Sequence, residues 1–279
     1  MEFKLGLIGY PIKHSLSPWI HNQFLESAKI KGEYSIYEVR EDSLFNQIEM
    51  MKEKEYRGFN VTIPYKQKVI PFLDEIDDTA KVIGAVNTVL NDNGRLIGFN
   101  TDGTGYFRAL QQYYPELVED KDNSILIIGA GGAARGIYYV LSQAGFKTID
   151  IANRTSGKAE SIQELASRNT NTNVLSLNQG EKNIHQYDVI IQTTNVGMKP
   201  DVLHSPLKLN NIRDSAIVSD IIYQPIWTSF LREAQINGAS IHHGHTMLLY
   251  QAQYAFEIWF GFKPELRDME QQLKQLLEG

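Results

Sequence analysis

Cysteine is absent from the 279 residues, which excludes disulfide bonds, thiolate metal sites, iron–sulfur clusters and a cysteine nucleophile. Long apolar runs are absent as well, since no stretch approaches the roughly 18 uninterrupted apolar residues of a transmembrane helix. The apolar start of the chain ends at Pro11 and Lys13, too early for a signal peptide. We therefore expect no membrane partner and a cytoplasmic location.

An excess of positive charge is also missing, because 27 Lys and Arg stand against 33 Asp and Glu, for a formal net charge of −6. Such a chain offers no broad basic surface, so we expect no nucleic-acid partner. Hydrophobic residues make up 42% and charged residues 22%, as in ordinary globular proteins, which excludes a mostly disordered chain. The length predicts about two domains.

Short apolar runs alternate with longer helical patterns, which is typical of an α/β protein. The runs predict strands at Phe3–Ile8, Tyr34–Val39, Gly58–Thr62, Val86–Leu90, Leu96–Phe99, Ile125–Ile128, Thr148–Ala152, Asn173–Leu177, Val189–Thr193, Ala216–Asp220 and Ala239–His242. Between two of these runs, Asn91–Gly94 predicts a hairpin turn. Apolar residues at helical spacing predict helices around Leu248–Phe260 and Leu266–Leu277.

A glycine-rich turn follows the strand predicted at Ile125–Ile128. Gly129 and Gly131 match the first two glycines of a dinucleotide-binding turn, and Ala134 replaces the third. The residues after the turn predict a helix whose N-terminus faces the phosphates of a ligand. Because strand, turn, helix and second strand occur in this order, we favour a bound dinucleotide over a turn that binds nothing.

The end of the next strand, Thr148–Ala152, indicates which dinucleotide is bound. NAD sites usually carry an acidic residue there, whereas Asp150 lies two residues too early. Arg154 and Lys158 attract a 2′-phosphate, and the hydroxyl of Thr155 is able to donate a hydrogen bond to it. We therefore predict NADP rather than NAD. Thr155 also suits the N-cap of the following helix, and both interpretations can hold together.

Polar residues also collect in the first third of the chain, after predicted strands. Ser15 and Ser17 flank a helix start, although an N-cap needs only one serine. Lys66 follows one predicted strand and Asp102 follows another. Because small-molecule sites of α/β proteins collect at strand ends, these two residues are candidates for a charged pair that does acid–base work. The alternative is a solvated lysine, which is the commoner case for a lone one.

A series of short motifs runs in one order along essentially the whole chain, namely SLSPWIHN, NVTIPYK, GAVNT, GFNTDG, GAGGAARG, NRT and GHTMLLYQA. Together they resemble the shikimate dehydrogenases. The resemblance implies the reversible NADPH-dependent reduction of 3-dehydroshikimate to shikimate, in aromatic amino-acid biosynthesis. It also implies an N-terminal α/β substrate-binding domain (1–102), a Rossmann-type doubly wound parallel sheet that binds NADP (103–244), and C-terminal helices (245–279) that return to the first domain.

The resemblance further implies the site residues. The catalytic residues are Lys66 and Asp102. The substrate-binding residues are Ser15, Ser17, Thr62, Lys66, Asn87, Asp102, Tyr223 and Gln251. The cofactor-binding residues are Asp78, Gly129, Ala130, Gly131, Gly132, Ala133, Asn153, Arg154, Thr155, Lys158, Ile221 and Gly244. One departure is Gln192, at a position where the family often has Asn, and it leaves local cofactor contacts open.

The proton of the reaction must move through a side chain, because no cluster of residues has the spacing of metal ligands and we expect no metal. The candidates His242, His243 and His245 more simply form a turn. Lys66 suits a general base in oxidation and a general acid in reduction. Since a free lysine is almost entirely protonated at neutral pH, a role as the cation that stabilises a developing alkoxide stays open.

Other functions also stay open at this stage. One is an enzyme that takes quinate as well as shikimate, or that prefers NAD. A second is a non-catalytic Rossmann protein that senses nucleotides, although Lys66 and Asp102 count against it. A third is an amino-acid or folate dehydrogenase of similar build, against which the paired serines count. The sequence is compatible with a monomer and with a homodimer.

Overall fold

The computed structural model describes residues 2–279 and divides into two compact units. The first unit comprises the residues up to Asp102 together with Gln251–Arg267. The second comprises Gly103–Tyr250 and Asp268–Gly279. No helix within residues 2–279 has the length and apolar character that crossing a membrane requires.

The first unit contains a six-stranded mixed sheet. Its strands are β1 (Phe3–Gly9), β2 (Gly32–Glu38), β3 (Gly58–Val61), β4 (Glu75–Ile76), β5 (Thr88–Asp92) and β6 (Arg95–Phe99). They lie in the order β2-β1-β3-β5-β6-β4. Strand β1 pairs in parallel with β2 and β3, whereas β5 is antiparallel to β3 and β6. The helices are α1 (Ser17–Ser27), α2 (Leu44–Glu53) and α3 (Asp78–Ile83).

The predicted hairpin is confirmed by the antiparallel pair β5 and β6. Asn93 and Gly94 both have positive φ, 53° and 89°, which matches the twist of the flanking strands. The side chain of Asn91 accepts the N–H of Gly94 at 2.8 Å. Strand β4 was not predicted, because its one apolar residue, Ile76, stands among acidic residues and not in an apolar run.

The second unit contains a six-stranded sheet whose strand pairs are all parallel. Its strands are β7 (Ser124–Ile128), β8 (Thr148–Ala152), β9 (Val174–Leu175), β10 (Val189–Gln192), β11 (Ile217–Asp220) and β12 (Ser240–His243). They lie in the order β12-β11-β10-β7-β8-β9, so the chain winds outward from the centre in both directions. This is the order of a doubly wound dinucleotide-binding sheet, and the predicted fold class is confirmed.

Helices complete the chain from Asp102 onward. They are α4 (Asp102–Tyr113), α5 (Pro115–Glu119), α6 (Gly132–Gln143), α7 (Ser156–Gln163), α8 (Leu177–Lys182), α9 (Ser229–Ile236), α10 (Gly244–Phe260) and α11 (Met269–Glu278). The central strand β7 reads as a continuous apolar run because both faces of its sheet are covered. Ile125 and Ile127 pack in one cluster with Ile137 of α6, whereas Leu126 and Ile128 pack in another with Phe230 of α9.

The C-terminal helices differ from the expectation that residues 245–279 all return to the first domain. Only Gln251–Arg267 belong to the first unit, and α11 belongs to the second. Within the second unit, the hydroxyl of Tyr113 in α4 donates to the carboxylate of Glu270 in α11. The apolar stripe of α11 does not show in the sequence which unit will cover it.

Candidate active site

Lys66 and Asp102 form an ion pair inside the first unit. Lys66 lies five residues after the end of β3, and Asp102 is the first residue of α4. The Lys66 Nζ lies 2.6 Å from Asp102 Oδ2, and the two side chains are only 18% and 4% exposed. The structure therefore brings the two predicted catalytic residues together in a largely buried pair.

The amide of Asn87 holds the second oxygen of Asp102. Asn87 Nδ2 donates to Asp102 Oδ1 at 3.0 Å and to Thr101 Oγ1 at 2.9 Å. Asn87 Oδ1 accepts the backbone N–H of Thr101 at 2.8 Å. Both carboxylate oxygens of Asp102 are therefore engaged, one by an ammonium and one by an amide, and the orientation of the carboxylate is set before any ligand arrives.

A further layer of buried polar residues supports Asn87. Asn60 Nδ2 donates to the carbonyl of Asn87 at 3.1 Å and to Thr88 Oγ1 at 3.0 Å. Tyr34 Oη donates to Asn60 Oδ1 at 2.8 Å. These residues were missed as members of the site, although a polar residue inside a buried strand is a signal that could have found Asn60 and Thr88. We call Tyr34, Asn60, Asn87, Thr88, Thr101 and Asp102 the polar network.

Two further predicted substrate residues, Gln251 and Thr62, lie in the first unit. Gln251 Oε1 lies 3.4 Å from Asn87 Nδ2, so the structure places this residue of α10 against the network. Thr62 is half-buried directly after β3, four residues before Lys66, and its N–H donates to the carbonyl of Ile8 at 2.9 Å.

The paired serines lie at the start of α1, with Ser15 in the loop after β1 and Ser17 as the first residue of the helix. Ser15 Oγ donates to Ser17 Oγ at 3.1 Å and accepts the N–H of Ser17 at 3.2 Å. The N-cap position of α1 is held by Leu16 and has no side-chain hydrogen bond. Glu38 of β2 fixes the start of this loop by accepting the N–H of Ile12 at 2.9 Å. The two hydroxyls therefore lie side by side and neither of them serves as the helix cap.

The glycine turn of the second unit has the geometry of an anion site. Gly129 has φ +112°, and a Cβ there would lie 2.6 Å from Thr193 Oγ1, so only glycine fits. Gly131 is the N-cap of α6 in an extended conformation, and nothing lies within 4 Å of where its Cβ would be. No side chain caps the first amides of α6, so a phosphate has room to approach them. Ala130 completes the turn, and Gly132 and Ala133 are the first two residues of α6; all three are partly exposed.

The residues after β8 offer positive charge rather than an acid. The carboxylate of Asp150 is held inside the sheet, where it accepts the N–H of Asn173 and the hydroxyl of Tyr187, both at 2.8 Å. Asn153 Nδ2 donates to the carbonyl of Thr155 at 2.8 Å. Thr155 is the N-cap of α7 but makes no side-chain capping bond. Arg154, Thr155 and Lys158 are all exposed.

The segment after β11 carries Ile221 and Tyr223. Asp220 anchors it, because its buried carboxylate accepts the N–H of Ile222 at 2.9 Å and the hydroxyl of Thr228 at 2.7 Å. Burial raises the pKa of Asp220 to about 7. Gly244 begins α10, and a Cβ on it would lie 2.4 Å from the carbonyl oxygen of Ile221. Ile221 and Gly244 are therefore in contact, whereas Tyr223 is partly exposed.

Asp78 and Gln192 can also be placed. Asp78 is exposed at the first position of α3, which Asp77 caps by accepting the N–H of Thr79 at 3.0 Å. Gln192 is buried at the end of β10, and its Nε2 donates to the carbonyls of Thr194 and Val196 at 3.2 and 3.1 Å. The departure at Gln192 therefore serves to fold the loop after β10.

His21 and His242 are buried among neutral partners. His242 lies 2.8 Å from Ser219 Oγ, and burial lowers its pKa to about 3. His21 stacks on Tyr34 with ring centroids 4.4 Å apart, and burial lowers its pKa also to about 3. Among residues 2–279, no group of three or more His, Cys, Asp or Glu side chains is arranged to hold a metal ion.

Family models cover most of the chain. The model described as the shikimate dehydrogenase substrate binding domain matches residues 7–89, and that of shikimate / quinate 5-dehydrogenase matches residues 114–210. The model of the shikimate 5′-dehydrogenase C-terminal domain matches residues 244–274.

Individual proteins are similar over their full length. Shikimate dehydrogenase (NADP(+)) of Oceanobacillus iheyensis is 48% identical over 280 residues, which cover 100% of both chains. The structure of shikimate 5-dehydrogenase from Thermus thermophilus, in complex with NADP(H) and shikimate, is 32% identical with a TM-score of 0.86, and the match covers 98% of this chain and 99% of that one. Quinate dehydrogenase from Corynebacterium glutamicum, in complex with NAD, is 27% identical with a TM-score of 0.87 and coverages of 99% and 100%.

Proposed function

This chain belongs to the shikimate dehydrogenase family of NADP-dependent oxidoreductases in the shikimate pathway, and we propose that its Lys66–Asp102 pair handles the proton of the reaction. The reaction is the reversible reduction of 3-dehydroshikimate to shikimate. The observation that carries the proposal is the buried ion pair with a distance of 2.6 Å, held in place by Asn87.

In the direction of reduction, Lys66 donates a proton to the carbonyl oxygen of the substrate as that oxygen becomes an alkoxide. Asp102 holds the ammonium in place and lowers the free energy of its positive charge. Because the Lys66 side chain is 18% exposed, water can return the proton after each turnover. In oxidation the steps reverse, and the neutral amine accepts the hydroxyl proton.

The second unit has features that fit NADP. Gly129 and Gly131 leave the first amides of α6 open to a pyrophosphate, and Arg154 and Lys158 are exposed where a 2′-phosphate would be recognised. NADPH, when bound, supplies the hydride. The other residues that we assign to it are Asp78, Ala130, Gly132, Ala133, Asn153, Thr155, Ile221 and Gly244. Apart from Asp78, we accordingly assign cofactor binding to the second unit and substrate binding mainly to the first.

The substrate carries one carboxylate and several ring hydroxyls. We assign the binding of the carboxylate to Ser15 and Ser17, because two adjacent hydroxyl donors suit its two oxygens. The serine hydroxyls then donate to the carboxylate instead of bonding each other. The ring hydroxyls fall to the remaining predicted substrate residues, which are Thr62, Asn87, Tyr223 and Gln251.

The catalytic pair comes from one chain, so chemistry at Lys66 requires no second subunit. We propose that the enzyme acts as a monomer or homodimer in the cytoplasm, where NADPH is available, and without nucleic acid. Activity that stays proportional to enzyme concentration across a dilution series that dissociates dimers would support the independence of each chain.

The direct test is a spectrophotometric assay. Purified protein is mixed with shikimate or quinate, and with NADP⁺ or NAD⁺, while the absorbance of the reduced nicotinamide is followed. We expect the fastest reaction with shikimate and NADP⁺. Absence of a signal with all four pairs would contradict the dehydrogenase function. A faster reaction with quinate or with NAD⁺ would favour the alternative, an enzyme that uses quinate or prefers NAD. The similarity to quinate dehydrogenase keeps that alternative open.

A further inference from the structure

Arg135 connects the glycine turn to the helix that carries the positive charges. It lies in the first turn of α6, three residues after Gly132, and is half-buried. Its Nη1 donates to Ser161 Oγ at 3.1 Å and to the carbonyl of Ser161 at 3.3 Å. Ser161 Oγ in turn donates to the carbonyl of Lys158 at 2.8 Å. One continuous chain of hydrogen bonds therefore runs from α6 to the backbone of Lys158.

Helix α7 has few other anchors. It is eight residues long, and only Ala159 and Ile162 among them are buried. Its N-cap, Thr155, makes no side-chain capping bond. A short helix with two apolar contacts is held weakly, so the two hydrogen bonds from Arg135 Nη1 contribute a large share of its placement.

The distance between α6 and α7 matters because NADP spans it. Helix α6 follows β7, and α7 follows the neighbouring parallel strand β8. In the proposed function, the first amides of α6 bind the pyrophosphate and the start of α7 binds the 2′-phosphate. A charged group displaced by an ångström loses much of a hydrogen bond to a phosphate oxygen. NAD lacks that phosphate, so we expect the efficiency with NAD⁺ not to depend on the position of Lys158.

We infer that Arg135 is a positioning residue for cofactor specificity: through Ser161 it fixes Lys158 at the distance from the glycine turn that the 2′-phosphate of NADP requires. This inference rests on the proposed function, in which Lys158 contacts that phosphate. One guanidinium nitrogen, Nη1, makes both contacts to Ser161. The Nη atoms of arginine lie one bond further from the backbone than the Nζ of lysine, so we expect a lysine at this position to lose these contacts.

The test compares NADP⁺ with NAD⁺ in the same variants. We measure kcat/KM with shikimate for both cofactors in R135M, R135K, S161A and K158A. R108M is the matched control, because Arg108 is an exposed arginine on α4 that contacts Gln111. We expect the ratio of NADP⁺ to NAD⁺ efficiency to fall about tenfold in R135M and R135K, and about threefold in S161A, with the NAD⁺ values unchanged. The ratio in R108M should stay at the wild-type value.

The outcomes separate the inference from the function on which it rests. A lower ratio in K158A with an unchanged ratio in R135M and S161A would overturn the inference alone. An unchanged ratio in K158A would overturn the assignment of Lys158 and the inference together. An equal loss of kcat/KM with NADP⁺ and with NAD⁺ in R135M would mean that the charge of Arg135 acts on the pyrophosphate. That result would also overturn the inference. If R135M does not fold, as judged by circular dichroism, S161A decides, because it removes only the hydroxyl between Arg135 and Lys158.

Discussion

The two units build their candidate sites in different ways. In the first unit, Lys66 and Asp102 are buried together and belong to a network of side chains that bond one another. In the second, the candidate site consists of a backbone turn at Gly129–Gly131 and of exposed side chains such as Arg154 and Lys158. One site is fixed by side chains across a sheet, and the other mainly by backbone geometry.

The difference matches the chemistry of each ligand. Proton transfer needs a donor and an acceptor whose positions vary by only a few tenths of an ångström. Buried hydrogen bonds provide that rigidity. A phosphate is bound by backbone N–H groups, which carry a partial positive charge, and by cationic side chains. A glycine turn and exposed basic side chains therefore suffice. Substitutions in the first unit should therefore affect turnover and stability together, whereas those in the second should affect cofactor affinity.

Lys66→Ala should give the largest effect. We expect kcat to fall by about 10²–10⁴-fold while the KM for shikimate changes little, because the lost group acts on the developing alkoxide. Steady-state kinetics measure both constants. The matched control is Lys68→Ala, an exposed lysine nearby that pairs with Glu41. A large rise in KM at unchanged kcat would instead make Lys66 a binding residue.

Asn87→Ala should come next, because it breaks the polar network. It leaves the buried N–H of Thr101 and Oδ1 of Asp102 without their amide partner. We expect the free energy of unfolding in urea to fall by about 1–3 kcal/mol, with a loss of turnover. Lys158→Ala should leave the free energy of unfolding unchanged, since that side chain is exposed. Equal effects of the two substitutions on stability would remove the contrast between the units.

Gly129→Ala and Gly131→Ala separate the two requirements of the turn. Gly129→Ala places a Cβ at φ +112° and 2.6 Å from Thr193 Oγ1, so we expect a loss of about 1–3 kcal/mol in the free energy of unfolding. Gly131→Ala meets nothing within 4 Å and should leave the protein as stable as before. Its methyl group fills the space of a phosphate, so NADP⁺ binding should weaken. Titration with NADP⁺ by calorimetry measures the affinity, and urea unfolding measures the stability of both variants. Unchanged NADP⁺ affinity in Gly131→Ala would contradict the assignment of the pyrophosphate to this turn.

His21→Phe should give the smallest effect, on the pH dependence of stability. Burial lowers the pKa of His21 to about 3 from the ordinary 6.5. Between these values the unfolded chain binds a proton that the folded chain does not, so acidification below pH 6.5 costs stability. One such histidine contributes at most about 1.4 kcal/mol per pH unit.

The wild type should therefore lose more stability than His21→Phe when urea unfolding is repeated at about pH 5.5 instead of about pH 7. His204→Phe, at an exposed position, should keep the wild-type loss. Because His242 in the second unit has a similarly low pKa, part of the loss should persist in His21→Phe. A pH dependence that does not change in His21→Phe would show that this ring is not neutral in the folded protein.

Much of the fold was predictable because its signals are local. The apolar run at Ile125–Ile128 and the glycines after it specify a strand, a turn and a helix within a dozen residues, and the structure has them there. Strand β4 escaped prediction because Glu75 and Ile76 lie among acidic residues and form no apolar run. The placement of α11 escaped it because an apolar stripe does not reveal its partner.

The candidate site shows the same division. Lys66 and Asp102 were predicted as a pair because both follow strands, although 36 residues separate them. The network behind them was not predicted. Asn60 and Thr88 meet only because β3 and β5 pair in one register, and a shift of that register by one residue would turn them to opposite faces.

The absence of cysteine and the scarcity of positive charge, together with the motifs, predicted the class of chemistry: a side-chain proton donor, a dinucleotide, and anion binding by local groups. Those properties follow from residue type and from spacing along the chain. The tertiary structure alone decided that Asp102 is held by Asn87, that Asp150 is held inside its sheet by Asn173 and Tyr187, and that Arg135 reaches Lys158 through Ser161. Each of these contacts joins elements distant in sequence, so it depends on how sheets and helices pack.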